Sequence, residues 1–444
     1  MKEIIMLLTC AVFAGNLASG HLAYGEMRKE SYTLSEAVQY ALENNPRLAA
    51  LQMDIEIEDY SIDEAKGGRF PRVDFIGNTI RSRYDRPVLP ITGSPMEGGF
   101  PEFDNPTYEV GVSFNFPVYM GGRLKRQVRI AEISKSIVED AFALGRQELI
   151  FNVTSIYYKI LELEKILEAS EKRVSQLEAH KKDVELFLKA GNVPRIDLLN
   201  TETGLSHARH SALLVKHNIE SAYELLKSFM GIEDVDTEIS VVPEIMNRTY
   251  PDIAESREKA FSCRPDYKAV LKKERMAAER VRLLSGKRHP LVSLHGKYTE
   301  NAGSNFDFRE DWYVSLRLTI PVFDGGVIKT QVNRARKEAE KIKEQERALR
   351  LKILREIKDA HLGIENALER MEVLSKGIET AEEILRIEQL KYKAGTGTNT
   401  DVLDAQTALL RARVEYYQGI YDKDIAIAAL DKAIGMDGNE EGSK

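Results

Sequence analysis

The side chains able to do chemistry are few, and most of them sit near helix ends. Asp401 and Asp404 are three residues apart, so their carboxylates share one helical face and could concentrate negative charge against a cation. Asp401 also has a plainer reason to be acidic, because a first-turn carboxylate meets the positive end of the helix dipole. His207, His210 and His217 line one helical face, with His180 able to approach from a neighbouring helix. His210 and His217 are two turns apart, too far to share one ion directly, and the group lies away from the apolar seam, where a solvated or lumen-facing position is expected. The sequence holds no Ser-His-Asp set, His-Glu-x-x-His motif, P-loop or dinucleotide fingerprint. It points away from catalysis, and no enzyme activity, metal or cofactor is expected.

Charge and address narrow the class further. A net charge of −7 leaves no basic footprint, so nucleic acid is not an expected partner. Lys2 and the apolar run Ile4 to Phe13 precede small-residue sites at Ala18-Ser19-Gly20 and Ala23-Tyr24-Gly25, the layout of a secretory signal over residues 1–25. Glu3 offsets the n-region charge; cleavage is expected near Gly20 or Gly25. Cys10, preceded by Thr9, is a poor lipid-attachment cysteine and leaves with the signal. Cys263 then cannot form an internal disulfide and is expected to be a small, semi-buried residue. No later stretch reaches the ~18 consecutive apolar residues of a spanning helix, so any insertion into a membrane must use strands.

The chain contains itself twice. Pro117, Gly121, Gly122, Lys189, Ala190, Gly191, Asp197 and Gly231 recur 204 positions later as Pro321, Gly325, Gly326, Lys393, Ala394, Gly395, Asp401 and Gly435. Upstream the offset becomes 219, pairing Pro46 with Pro265 and Pro71 with Pro290. The 15-residue difference falls between Pro71 and Pro117, so Arg86 through Pro106 reads as a long solvent loop. Repeat one spans 26–231 and repeat two 251–435, with a mid-height linker at 232–250 and a tail at 436–444.

Within each repeat the apolar period changes from 2 to about 3.6. Trp312, Val314, Leu316, Leu318 and Ile320 alternate with Tyr313, Ser315, Arg317 and Thr319, as in a strand with one apolar face. Tyr108 to Phe116 alternates likewise, and Val73 to Ile80 and Val292 to Tyr298 are the partners, giving hairpins at about 70–117 and 290–321. Each strand is about nine residues long, enough for a tilted crossing of a bilayer. Four strands cannot close a barrel, and lipid does not tolerate open edges, so insertion requires oligomers. Two copies would give eight strands with a filled interior and three would give twelve, wide enough for a pore, whereas a soluble sandwich is the alternative. The aromatics Tyr108, Tyr119, Tyr298, Trp312, Tyr313 and Phe323 suit interfacial girdles or a core rim.

Each second strand is expected to end at a proline and a Gly-Gly pair: Pro117, Gly121 and Gly122, or Pro321, Gly325 and Gly326. Proline-free helices follow at about 122–190 and 326–394, each ~100 Å long at 1.5 Å per residue. They turn at Ala-Gly and return at about 195–230 and 399–434, only ~50 Å. The missing height falls to short helices such as Leu34 to Glu43 and its continuation past Asn45-Pro46. Leu198, Thr201, Leu205, Ala208 and Ala212 keep the 3,4 spacing of a coiled-coil seam, and Val235 to Val242 is compatible with a short strand at mid-height.

This layout resembles the TolC-like outer membrane efflux protein family over essentially the whole mature chain. The resemblance rests on Ala41, Leu42, Asn45 and Pro46, on Pro-x-Tyr/Phe-x-Gly-Gly at Pro117 to Gly122 and Pro321 to Gly326, and on Tyr392-Lys-Ala-Gly-Thr-Gly-Thr-Asn-Thr-Asp-Val-Leu-Asp-Ala405. It implies a mainly α fold with a small β part, in which a homotrimer builds a twelve-stranded outer membrane barrel continued by an antiparallel coiled-coil helical barrel through the periplasm. It further implies a passive exit duct for efflux or type I secretion in a Gram-negative bacterium, embedded in outer membrane lipid. The implied partners are a periplasmic adaptor and an inner membrane transporter of RND, ABC or MFS type. By motif position the resemblance puts the gate at Asp401 and Asp404, with Tyr392 holding Asp197, and Asn200 taking the acidic place in repeat one. Rings of carboxylates in a trimer would raise some of their pKa values. Gly397 stands where TolC has an arginine, so that closing salt bridge cannot be copied. The turns Gly191, Asn192, Val193, Pro194 and Gly395, Thr396, Gly397, Thr398 would dock the adaptor, although helix-hairpin capping alone accounts for their residue types. A periplasmic coiled-coil scaffold without a pore remains the competing reading.

Overall fold

The computed structural model describes residues 31–91, 102–234, 237–243 and 249–436. The expected signal at 1–25 and, beyond Met436, the expected tail lie outside the described residues, as do parts of the expected loop and linker. The strands are β1 (Ser31–Tyr32), β2 (Arg72–Ile80), β3 (Arg86–Pro87), β4 (Phe103–Asp104), β5 (Thr107–Met120), β6 (Ser240–Val241), β7 (Leu291–Ala302) and β8 (Arg309–Thr319). The helices are α1 (Leu34–Asn44), α2 (Pro46–Gly67), α3 (Arg123–Lys189), α4 (Arg195–Met230), α5 (Ile253–Cys263), α6 (Pro265–Ser285), α7 (Val327–Lys393) and α8 (Asn399–Ile434).

The two long helices, α3 and α7, have 67 residues each, and the two return helices, α4 and α8, have 36 each. Packing runs across a wall in which α3 touches α2 and α4 on one side and α6 and α8 on the other, while α7 flanks α6 and α8. A short helix and a return helix thus stack to match one long helix. The joints explain how. Pro46 and Pro265 occupy the first turns of α2 and α6, where a missing N–H costs nothing. The residues before them, Asn45 and Arg264, correspond in the two repeats and do the same work. Asn45 Nδ2 donates to the Phe229 carbonyl at 2.8 Å, and Arg264 Nη1 donates to the Ala433 carbonyl at 3.0 Å. Each bond satisfies a carbonyl left over at the end of a return helix. Those helices end at Gly231 and Gly435 with φ of 76° and 80°. A Cβ at Gly231 would lie 2.3 Å from the Asn44 carbonyl, so both the backbone angle and the close approach require glycine.

At mid-height Tyr157, Tyr158, Leu226 and Met230 form the largest buried cluster. Tyr157 Oη reaches the Tyr32 and Val242 carbonyls at 3.1 and 2.5 Å, tying down β1 and β6, which pair in parallel. Of the expected strand within Val235 to Val242, Ser240–Val241 is the part that forms among the described residues; Val235 and Asp236 lie outside them.

The other end of the chain is one antiparallel sheet in the order β2-β5-β7-β8, so the second strand of repeat one pairs with the first of repeat two. One face carries Val73, Phe75, Val112, Trp312, Val314 and Leu316, all largely exposed, with Trp312 at 66% and Leu316 at 68%. The other carries Glu109, Ser113, His295, Lys297 and Arg317, with Glu109 and Lys297 ion-paired across strands. Gly296 has no side chain because the Phe114 ring lies over it, 1.9 Å from where a Cβ would be.

Three boundaries differ from the sequence reading. β5 does not stop at Pro117 but runs to Met120, because Tyr119 and Met120 still pair with Val292 and Leu291. Proline, lacking an N–H, is accommodated where the register shifts between Pro117 and Tyr119. β5, β7 and β8, at 14, 12 and 11 residues, also exceed the expected nine. The expected solvent loop has an ordered base: β3 pairs with β4, and Asp104 accepts from the Ser304 backbone and hydroxyl at 2.7 and 2.8 Å.

The joints generate a prediction. The Arg264 guanidinium is nearly buried between Asp266 and Glu356, each 2.7 Å away. Burial alone would push the Asp266 carboxyl up, but Arg264 beside it holds it below the usual range. Arg264→Met should therefore cost about 2–4 kcal/mol in urea unfolding at neutral pH, against about 1 kcal/mol for Asn45→Ala. Because the Asp266 pKa is depressed, the Arg264 contribution should persist above the carboxylate range and fade as pH falls through it. Equal losses at the two joints would contradict this.

Candidate functional site

The helical end far from the sheet is where the acidic and turn residues converge. At the first tip Gly191 (φ 78°) reverses the chain, with Gly191 N–H on the Leu188 carbonyl and Asn192 N–H on the Phe187 carbonyl. Val193 and an extended Pro194 then lead into α4. At the second tip Gly395 (φ 72°) does the same, and Thr396 and Gly397 both donate to the Lys391 carbonyl. A Cβ at Gly397 would come within 2.8 Å of Lys391 Cβ, so the turn is too tight for a larger residue without movement.

Thr398 caps α8 in a reciprocal box: its hydroxyl accepts from Asp401 N–H at 3.2 Å, and its N–H and hydroxyl donate to Asp401 Oδ2 at 3.1 and 2.7 Å. These bonds hold the exposed Asp401 carboxyl below the usual range, the Thr398 hydroxyl contributing most. Within one chain the shift is opposite to that expected from carboxylate rings. Asp404 and Asn200 are exposed on the second turns of α8 and α4, while Asp197, on the first turn of α4, is half-buried.

Tyr392 is buried, edge-on to His180 at 5.1 Å and to Phe187 at 5.9 Å. Burial, then the charges of Asp197 and Asp183, push its phenol up to about 12. The expected bond to Asp197 does not form in this chain: the Tyr392 hydroxyl has no partner among the described residues.

The residue that joins the two tips, Asn399, carries no role in the sequence reading. Asn399, almost fully buried, accepts on Oδ1 from His180 Nε2 at 2.7 Å and from Thr201 Oγ1 at 3.2 Å. Its Nδ2 donates to the Asp197 backbone carbonyl at 3.0 Å. One amide thus ties α8 to both α3 and α4. His180 was expected among the solvated histidines, but it is buried, and burial pushes its imidazole down. The signal was available, since Leu177, His180 and Val184 keep the 3,4 spacing of the buried seam of α3. His207, His210 and His217 are exposed. Cys263, expected to be semi-buried, is exposed. Among the described residues no three His, Cys, Asp or Glu side chains gather to hold a metal ion.

The family model described as outer membrane efflux protein matches residues 37–232 and 257–436. The chain belongs to that family. The outer membrane efflux protein BepC of Brucella suis is 20% identical over 98% of this chain and 90% of its own. OprJ of Pseudomonas aeruginosa is 22% identical over 90% of this chain and 84% of its own. The CmeC outer membrane channel of Campylobacter jejuni has the same fold, with a TM-score of 0.78 at 18% identity over 94% of this chain and 90% of that one. As an outer membrane efflux protein the chain resides in the outer membrane of a Gram-negative bacterium, with the helical wall in the periplasm.

Since the Tyr392 hydroxyl has no partner, Tyr392→Phe should leave the urea midpoint of the mature protein unchanged or slightly raised. A loss above about 1 kcal/mol would reveal a bond that this geometry lacks.

Proposed function

We propose that three copies of the chain form a passive exit duct, a twelve-stranded barrel continued by a helical tunnel. The carrying observation is the two-faced sheet: an exposed apolar face, a polar face with Glu109 and Lys297, and edges β2 and β8 with no neighbour among the described residues. Three such sheets laid edge to edge put apolar side chains against lipid and polar ones around a pore. The helical tips, carrying exposed Asp401 and Asp404, form the narrow periplasmic end, where rings of carboxylates attract cations. Gly191 to Pro194 and Gly395 to Thr398 form the rim that meets a periplasmic adaptor, which links the duct to an inner membrane transporter for efflux or type I secretion. The duct works as a conduit and not as an enzyme. A pore-free periplasmic scaffold is disfavoured because a soluble cap would not leave Trp312, Val314, Leu316 and Leu318 each more than half exposed.

Single-channel recording in planar bilayers tests this reading. Wild-type protein should give small cation-preferring openings, and Asp401→Ala with Asp404→Ala should weaken that preference. Openings unaffected by the substitutions would remove the acidic constriction, and protein that stays soluble without detergent and gives no openings would remove the duct.

A further inference from the structure

The wall has two kinds of seam at the tip, and the duplication allows them to be compared position by position. Within a chain, α3 meets α8. Between neighbouring copies in a closed ring, the repeat-equivalent contact brings α7 of one against α4 of the next. His180 and Asn399, which meet across the first seam, correspond by the 204-residue offset to Ile384 and Arg195, which would face each other across the second. Ile384 is 47% exposed in the single chain, available to such a neighbour. The inner seam is thus fastened by a buried polar network, and the outer one has an apolar side chain at the same height.

We propose that the His180–Asn399 contact is an acid-released latch that fastens the second helical hairpin to the first at the periplasmic tip. The proposal rests on the exit-duct reading for its consequence, but its geometry stands alone. Asn399 Nδ2 is committed to the Asp197 carbonyl, so Oδ1 faces His180 and the imidazole carries its hydrogen on Nε2. A second proton, taken from solvent, must go to Nδ1 and creates a cation in a site that is 95% buried. The charged and titratable groups around it come from every helix of the tip. Asp183 lies on α3, Asp197 on α4, and Tyr392 and Lys393 on α7, while α8 presents the neutral Asn399. The Asp183 carboxylate is shared with Lys393, 3.2 Å away, which weakens its support for an imidazolium. Packed, His180 resists protonation; released, it titrates near the ordinary value of 6.5. The packed state is therefore favoured at neutral pH and loses that advantage as pH falls through about 6.5.

The test combines amide hydrogen exchange over residues 391–404, corrected for intrinsic rates, with bilayer recording, both on detergent-purified mature protein. Between about pH 7.5 and 5.5, exchange and open occupancy in wild type should rise by up to about tenfold, the limit set by a packed imidazole that stays neutral. His180→Gln keeps an N–H for Asn399 Oδ1 without a titratable nitrogen, and should abolish the rise in both readouts. His180→Phe, which fills the space without the hydrogen bond, should exchange fast at both pH values. Asp401→Asn with Asp404→Asn should retain the rise, which separates the latch from surface carboxylates. A wild type with no rise in tip exchange, or a His180→Gln protein that keeps it, overturns the latch. Openings that ignore pH leave the duct and remove the latch's role in gating. Accelerated exchange in protein that never opens keeps the latch and removes the duct.

Discussion

The constraint on which the rest of the structure depends is the open sheet edge. β2 and β8 each leave a row of backbone N–H and C=O groups without a neighbouring strand among the described residues. In water such edges are a hazard, and in the low-dielectric interior of a membrane each unpaired group costs several kcal/mol. One chain cannot close four strands on themselves, so on the proposed reading copies supply the missing neighbours. Closure would then decide the shape of everything attached. The helices that leave the sheet would be drawn into a ring with the same symmetry, with their tips together around its axis.

Height matching is the second requirement, and the joints meet it. A wall of parallel helices is useful only if no element falls short, yet the chain spends 67 residues going out and 36 coming back. The short helices recover the difference, and each joint is closed by a donor placed immediately before a proline. Asn45 does this with a neutral amide, whereas Arg264 brings two carboxylates into the fold with it. The duplication therefore preserves a geometric role while changing the chemistry that fills it. The tip shows the same divergence, with His180 and Asn399 on one seam and Ile384 and Arg195 at the matching positions of the other.

Much of this was legible because period and offset are one-dimensional signals. The alternation from Trp312 to Ile320 assigns a face to each side chain before any fold is known, and the proline-free runs mark helices whose lengths the repeat repeats. What escaped were contacts between elements distant in sequence. Pro117 reads as a strand end, but the pairing of Met120 with Leu291 carries β5 past it. Asn399 reads as an ordinary residue beside a cap, and only the approach of α3 and α4 makes it a hub. Tyr392 and Asp197 are close enough for the charge of one to shift the other, yet the resemblance overstated their contact as a bond. His180 differs, because its burial follows from the 3,4 seam of the long helix, with Leu177 and Val184, and not from that of the return helix.

The most direct test of edge closure is the mass of the detergent-solubilised mature protein by native mass spectrometry. Closure into a pore-sized barrel predicts three copies, twelve strands in all. A stable monomer, or a dimer whose eight strands would enclose only side chains, would contradict it.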